Sequence, residues 1–415
     1  MKNYRNKIVL SFALLVPLIS ILVIEKVSAG ASTSAGIVPA PTPALKGTPN
    51  RLPTPSPTPS VTPSPSPTVA PIQTLAELQA KIRARISAPE VRHGRIGIKI
   101  VSLNSGKVVF ENDADKYFMP ASNMKNFTIA TAMERLGPDF RFVTSVFANA
   151  VPDGTGTIKG DLRIYGRGDI SISTAFFGTS VDDPETYYKG IDRLVDRIAA
   201  AGVKRIDGSI VGDESYFKGF AIPGTWEWDD LQWYYGAEIS ALPINDNAVD
   251  LAVSPGTAGS PCNIRISPAN TLYTINNTCT TTAATIKRNL SVTKRIDRNI
   301  LDISGTMPAG EKGFSSPISL TRPADLFVAI LKNRLEKRGI TVSGGARALA
   351  STINPDKVQI EIAKLESPPF REIAPKIMKP SQNMYTETVL WTLGEWARPS
   401  CELSAVAPEM PPTFG

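Results

Sequence analysis

The chain has 415 residues, a formal net charge of +7, three cysteines and one histidine. That length allows two or three domains and a large core. Residues 1–29 carry much of the charge, with Lys2, Arg5, Lys7 and Lys26 against Glu25. No lysine/arginine cluster with interleaved aromatics follows, so nucleic-acid binding is not expected. One histidine and scattered cysteines offer no zinc ligand set. Gly-Arg-Gly-Asp at 166–169 lacks the lysine and helix start of a phosphate loop. Neither a metal nor a cofactor is expected.

The cationic start precedes the apolar run Ile8–Ile24, and Val27-Ser28-Ala29 supplies small residues for cleavage, so 1–29 reads as a secretory signal. The protein is expected in the periplasm or on the outer face of the cell membrane or wall. Membrane contact is expected only through residues 1–29, if they stay attached. From Pro39 to Pro71, 12 of 33 residues are proline and none is aromatic. Such a stretch cannot bury enough apolar surface to fold and favours extended conformations, so 30–71 reads as a semi-rigid linker.

Folding is expected to begin near Ile72, where Leu75, Leu78, Ile82 and Ile86 have helical spacing. Ile96, Ile98 and Ile100 then alternate, Asn104-Ser105-Gly106 can turn, and Val108-Val109-Phe110 returns as a hairpin. Phe118–Gly137 predicts a helix with Pro120 at its first position, Gly137 just past its end and Pro138 blocking continuation. Phe127, Ala130, Met133 and Leu136 share one face, with Ile129 and Ala132 beside them, so this helix is expected deep in a domain. Farther on, Asp161–Tyr165 and Ile206–Val211 read as strands, and Pro184–Ala201 and Pro323–Arg338 as helices. Between them, 245–308 reads as a small all-β insert. Cys262 and Cys279 lie in it; export permits a disulfide there, but their separation does not decide it. Cys401 is left over and reads as a free thiol. Phe370–Lys379 and Met384–Trp396 predict two helices flanking Pro380-Ser381-Gln382-Asn383, and after Ala397 the pattern fades.

Ser122 and Lys125, three residues apart, share one face of the predicted Phe118–Gly137 helix. Burial disfavours a lysine's charged form, and a neutral amine can take the proton from a neighbouring serine hydroxyl. His93 reads as a loop residue beside Gly94, so no Ser-His-Asp arrangement is expected. A serine hydrolase built from this inventory would use lysine as its base. Ser-x-x-Lys by itself also fits a serine cap with a solvated lysine one turn on.

Ser122-x-x-Lys125 followed far downstream by Ser381-x-Asn383 is the motif order of penicillin-recognising serine enzymes. Met-Pro-Ala-Ser-Asn-Met-Lys, Leu-Gly-Pro-Asp-Phe-Arg-Phe at 136–142, Gly160-Asp161-Leu162 and Trp226-Glu227-Trp228-Asp229-Asp230 extend the likeness, as does Tyr235–Leu242. Over 72–396 the chain resembles the D-alanyl-D-alanine carboxypeptidase/endopeptidase family of class C, low-molecular-mass penicillin-binding proteins. The resemblance implies an α/β (α+β) fold, with helices on an antiparallel sheet in a transpeptidase-like domain carrying two inserted domains. Placed on this chain, the catalytic domain would take 72–142 and 358–415, an α/β insert 143–244 and 309–357, and a small β insert 245–308.

The resemblance further implies acyl transfer on peptidoglycan stem peptides, with β-lactams as covalent inhibitors. Ser122 would be the nucleophile and Lys125 the acylation base. Ser381 would relay a proton to the leaving amine, and Asn383 would orient Lys125 and the substrate. Asp230, and more weakly Tyr235, would meet the free amino group of the peptide side chain. No Lys-Thr/Ser-Gly triplet follows Asn383, where the family carries one. The expectation is therefore a shortened form of an active enzyme, weak or inactive, or alternatively a non-catalytic wall-peptide binder. A β-lactamase fits Ser-x-x-Lys but not the long interval or the Trp226–Leu242 run, and an adhesive protein leaves the paired motifs unexplained.

Overall fold

A computed structural model describes residues 74–91, 93–178, 183–349 and 359–403, with side chains through Arg398. The expected signal (1–29) and linker (30–71) lie outside these residues. The chain divides into two units, 1–110 and 111–415.

In the first unit, α1 (Leu75–Ile86) starts at a capping box. The Thr74 hydroxyl accepts from Glu77 N at 3.2 Å and the Glu77 carboxylate accepts from Thr74 N at 3.3 Å, satisfying two donors that a helix start leaves unpaired. Its side chains reach the expected hairpin, β1 (Ile98–Val101) with β2 (Val108–Asn112): Gln79 Nε2 donates to Val109 O at 2.8 Å and Arg83 lies over the Phe110 ring.

The second unit opens with a short 3₁₀ turn and α2 (Met124–Arg135). Then come β3 (Val143–Ala148), β4 (Thr157–Lys159), β5 (Leu162–Tyr165), α3 (Lys189–Ala200), β6 (Arg205–Asp207) and β7 (Ile210–Asp213). The single strand expected over Ile206–Val211 is thus two strands in different sheets. Gly208 makes the break: a Cβ there would lie 2.3 Å from Gly160 C and O, so only glycine lets the two segments cross that closely. Following these are β8 (Ala248–Ser254), β9 (Asn263–Ser267), β10 (Thr274–Thr282), β11 (Asn289–Lys294), β12 (Ile300–Pro308) and β13 (Phe314–Ser319). The chain continues through α4 (Pro323–Lys337), β14 (Thr341–Val342), β15 (Ala346–Leu349), β16 (Ile360–Glu366), α5 (Phe370–Met378) and α6 (Asn383–Leu403).

A five-stranded sheet runs β15-β7-β5-β3-β16, with β15, β7 and β5 parallel and β3 antiparallel to both its neighbours. The apolar faces of α3 (Ile191, Leu194, Val195, Ile198) and α4 (Leu326, Phe327, Val328, Leu331) share its buried core. The region expected to be all-β supplies β8 to β12, which together with β13 form two three-stranded sheets, β13-β8-β9 and β10-β12-β11. β13 pairs with β8, and β16 with β3, so each pairing joins segments on opposite sides of a position expected as a domain boundary, near 308 and 357. The Cys262–Cys279 disulfide, left open by the sequence, is formed in this β region, with Cα atoms 5.3 Å apart.

A second buried cluster unites α2, α5 and α6. Ile129 and Ala132 meet Phe370, Ile373, Ile377, Met384, Tyr385 and Val389, with Phe142, Ile170 and Phe217 added from connecting segments. Threonines enter this core at little cost, because Thr388 and Thr392 turn their hydroxyls back onto the carbonyls of Met384 and Thr388 at 2.8 Å. The helix continues past the expected end near Trp396 to Leu403, supported by the Arg398–Glu395 pair one turn back. Cys401 lies beyond the residues whose side chains are described.

Candidate active site

Ser122 sits in the 3₁₀ turn Ala121–Asn123, and Lys125 is the second residue of α2. The sequence predicts one helix through both; instead a tight turn precedes the α-helix. In a 3₁₀ turn residues three apart nearly eclipse, which brings the two side chains together more directly than an α-helix would. Lys125 Nζ lies 2.9 Å from Ser122 Oγ. The turn is entered through Ala121 at φ 45°, a left-handed conformation that a non-glycine residue adopts only when its surroundings hold it there.

The buried face of this segment is Lys125, Ile129 and Ala132, while Phe127 is 68% exposed and Met124 52% exposed. The expectation of a deeply buried helix with Phe127 and Ala130 in the core is corrected on this point. The α6 side of the core takes the stripe that begins at Lys125; Phe127 and Ala130 face outward, while Met133 and Leu136 are partly buried against that core. Burial is what matters for the lysine. It is 9% exposed, and desolvation lowers its pKa from the ordinary lysine value, favouring the neutral amine.

The second motif arrives from the far end of the chain. After α5 the chain breaks at Lys379-Pro380, and Ser381 takes φ 58°. Gln382 then starts α6, its Oε1 accepting from Met384 N at 3.1 Å and its carbonyl accepting from Thr386 N at 3.3 Å. This turn sets Asn383 beside Lys125, whose Nζ donates to Asn383 Oδ1 at 2.6 Å. The other end of the amide, Nδ2, donates to Tyr235 O at 3.1 Å. Ser122, Lys125 and Asn383 are therefore brought together as expected. Ser381 shares the turn, but its side chain is exposed and its backbone N–H donates to Met378 O at 3.2 Å. No bond from its hydroxyl to Ser122 or Lys125 joins the described residues.

Asp230 and Tyr235 come from a loop of consecutive turns, 223–236, before β8. The Tyr235 hydroxyl donates to the Asp230 carboxylate, and its backbone carbonyl reaches Asn383, so the acidic residue connects to the motif through Tyr235. Burial, and then Asp229 and Glu227 nearby, raise the Asp230 pKa; burial and Asp230 push the Tyr235 hydroxyl up to about 12. Gly236 lets this loop close, since a Cβ there would lie 2.3 Å from Asp230 O. Among the described residues no group of three His, Cys, Asp or Glu side chains is placed to hold a metal ion.

The model of the D-Ala-D-Ala carboxypeptidase 3 (S13) family matches residues 78–407, a span that includes both motifs and the segment between them. The chain belongs to the S13 family. Among curated relatives, a D-alanyl-D-alanine carboxypeptidase of Actinomadura sp. (strain R39) is 26% identical over 320 residues, covering 76% of this chain and 56% of that protein. The D-alanyl-D-alanine carboxypeptidase DacB of Haemophilus influenzae is 21% identical over 301 residues, covering 71% and 58%. This S13 chain thus spans little more than half the length of these relatives. In fold it is similar to crystallised penicillin-binding protein 4 of Haemophilus influenzae, with TM-score 0.61 at 18% identity, covering 80% of this chain and 71% of that one. A structure of that protein complexed with a β-lactam gives TM-score 0.53 at 20% identity, with 77% and 63% covered. The mixed α/β architecture is similar to the fold of that penicillin-binding protein.

Sequence reasoning left out Asp246, Gln382 as more than a spacer, and Tyr385, all of which pack behind Asn383. Asn-Asp-Asn at 245–247 carried the only local hint, since Asn and Asp tolerate left-handed backbone and mark tight turns.

Proposed function

We propose that this chain is a serine-type D-alanyl-D-alanine carboxypeptidase/endopeptidase, acting on peptidoglycan stem peptides through an acyl-enzyme on Ser122. The observation that carries this reading is the buried Lys125 amine held between Ser122 Oγ and Asn383 Oδ1. A neutral Nζ takes the Ser122 proton as Oγ attacks the carbonyl carbon ahead of the terminal residue. The tetrahedral intermediate collapses with cleavage of the C–N bond. The leaving amine departs with a proton that Lys125 returns, through Ser381 in this reading, and water then hydrolyses the ester by the reverse proton route.

Asn383 accepts from the protonated amine and so holds it in line with Ser122 through the cycle. In this reading Asp230 faces the free amino group of the stem-peptide side chain, and a β-lactam is attacked in place of the peptide bond. The names of the relatives and the family match support the reaction class. We place the protein outside the cytoplasm, on the cationic and apolar pattern of residues 1–29 and because a stem peptide lies there.

The test is release of D-alanine from a synthetic pentapeptide stem ending in D-Ala-D-Ala. Activity present in the full chain and absent from Ser122→Ala is expected. Equal release by both proteins would overturn the assignment of the nucleophile.

A further inference from the structure

Behind the site, three successive residues of the chain, Asn245, Asp246 and Asn247, hold positive φ angles of 46°, 61° and 53°. A run of such residues persists only where its surroundings over-determine it. The two asparagines do so. Asn245 Nδ2 donates to Tyr187 O at 3.0 Å, Asn247 Nδ2 donates to Glu238 O at 2.8 Å, and Asn247 Oδ1 accepts from Ile244 N at 3.0 Å. Clamped between them, the Asp246 side chain is aimed at the far end of the sequence. Its Oδ1 accepts from the Tyr385 hydroxyl and, at 2.6 Å, from Ser173 Oγ, and its carboxylate also accepts from the Gln382 side chain.

Gln382 and Tyr385 are the residues on either side of the Asn383-Met384 pair. One carboxylate therefore holds the turn on both sides of the amide that contacts Lys125, while Tyr235 O holds the amide itself. We propose that Asp246 is a positioning residue, a bracket from the segment between the two motifs that fixes the Ser381–Tyr385 turn and thereby sets the Lys125–Asn383 contact. Its consequence for acylation rests on the peptidase reading above; the contact itself does not. Asp246 is deeply buried, so its carboxylate is reserved for these donors and does not touch substrate. Loosening the bracket lets Asn383 withdraw and water reach Lys125. The lysine then titrates higher, and less of it is neutral at a given pH.

The experiment uses the full chain with ¹³Cε-labelled lysine, the Lys125 resonance being assigned with Lys125→Arg. Its titration is followed by NMR in the parent, Asp246→Ala, Tyr385→Phe and Ser173→Ala, each checked for a parent-like melting curve. In folded Asp246→Ala and Tyr385→Phe, the Lys125 midpoint is expected to rise by about one pH unit. Acylation by benzylpenicillin is expected to slow about tenfold, as misplacement of a reacting group does. Ser173 Oγ bonds both the Asp246 carboxylate and the Tyr385 hydroxyl, so Ser173→Ala keeps Gln382 and Tyr385 on the carboxylate and should shift both readings less than Tyr385→Phe does. If Asp246→Ala does not fold, Tyr385→Phe, which loses one oxygen atom, decides. A folded Tyr385→Phe with the parental Lys125 midpoint overturns the proposal. A parent that is not acylated, with Lys125 still responding to Tyr385→Phe, removes the peptidase reading and leaves the bracket standing.

Discussion

Lys125 has one buried amine and two tasks, both set by its surroundings. Desolvation biases it toward the neutral form, and Asn383 and Ser122 fix where its Nζ sits. A general base of the kind proposed for Lys125 contributes about 10²–10⁴ in rate. Lys125→Ala is therefore expected to lower the second-order rate of penicillin acylation by about that range, measured by stopped-flow or quenched labelling. The same residue sets the pH dependence. Because its pKa is lowered, the acylation rate should rise with pH along a limb whose midpoint falls below the ordinary lysine value of about 10.4. A limb centred at or above that value would mean that Lys125 is solvated when it acts. Ser122 and Lys125 were legible in sequence because a spacing of three residues puts two side chains together whatever the rest of the chain does. Asn383 was legible only by likeness to a family motif, since 258 residues separate it from Lys125. Asp246 and Tyr385 were not legible: their contact joins two turns far apart in sequence, and nothing in either turn alone names the other.

Helical periodicity, read from sequence, found α1, α3, α4 and α5 within a few residues of their ends. It misread α2. Apolar spacing marked Phe127 and Ala130 as a buried stripe, yet the face that meets α5 and α6 runs through Lys125, Ile129 and Ala132. An amphipathic pattern says that a helix has an inner face; when apolar residues occur on several sides, only the neighbours decide which. Ile206–Val211 failed for a different reason. Its β-branched residues suit either strand, and the break at Gly208 follows from a close crossing with Gly160 that no local pattern announces. The Cys262–Cys279 bond belongs to this level too, closing a short loop between the paired edges of the β region. Disulfides that close loops of about 15 residues contribute about 3 kcal/mol. Mild reduction should therefore lower the thermal midpoint of the chain, and Cys262→Ala/Cys279→Ala should reproduce the loss. Equal melting of oxidised and reduced protein would count against that contribution.

Across the whole molecule, the segment between the motifs supports the site from behind, and its own stability depends on buried acids. Glu214 is the clearest. Burial pushes its pKa from 4.5 up to about 7, against the Ser240 hydrogen bond and nearby Arg322, while Asp325 and Glu238 push the same way as burial. The fold prefers the protonated form of such a group. Its contribution is fully present below the unfolded value of 4.5 and is lost as pH rises through about 7. Glu214→Gln should consequently raise stability at pH 8 by roughly 1–3 kcal/mol and do little at pH 4, read from denaturant midpoints at both pH values. A variant less stable than the parent at pH 8 would show that the ionised carboxylate is paired better than its burial implies.

At this scale too, the family and its α/β architecture were legible from motif order and flanking runs, whereas the pairing of β13 with β8 and of β16 with β3 across the expected boundaries was not. Activation of Ser122 as a nucleophile by Lys125 is read out by intact-mass analysis of the full chain after incubation with benzylpenicillin. One covalent adduct is expected, mapped by peptide digestion to Ser122 and absent from Ser122→Ala and Lys125→Ala. A folded chain that forms no adduct, or an adduct that survives in Ser122→Ala, would contradict it.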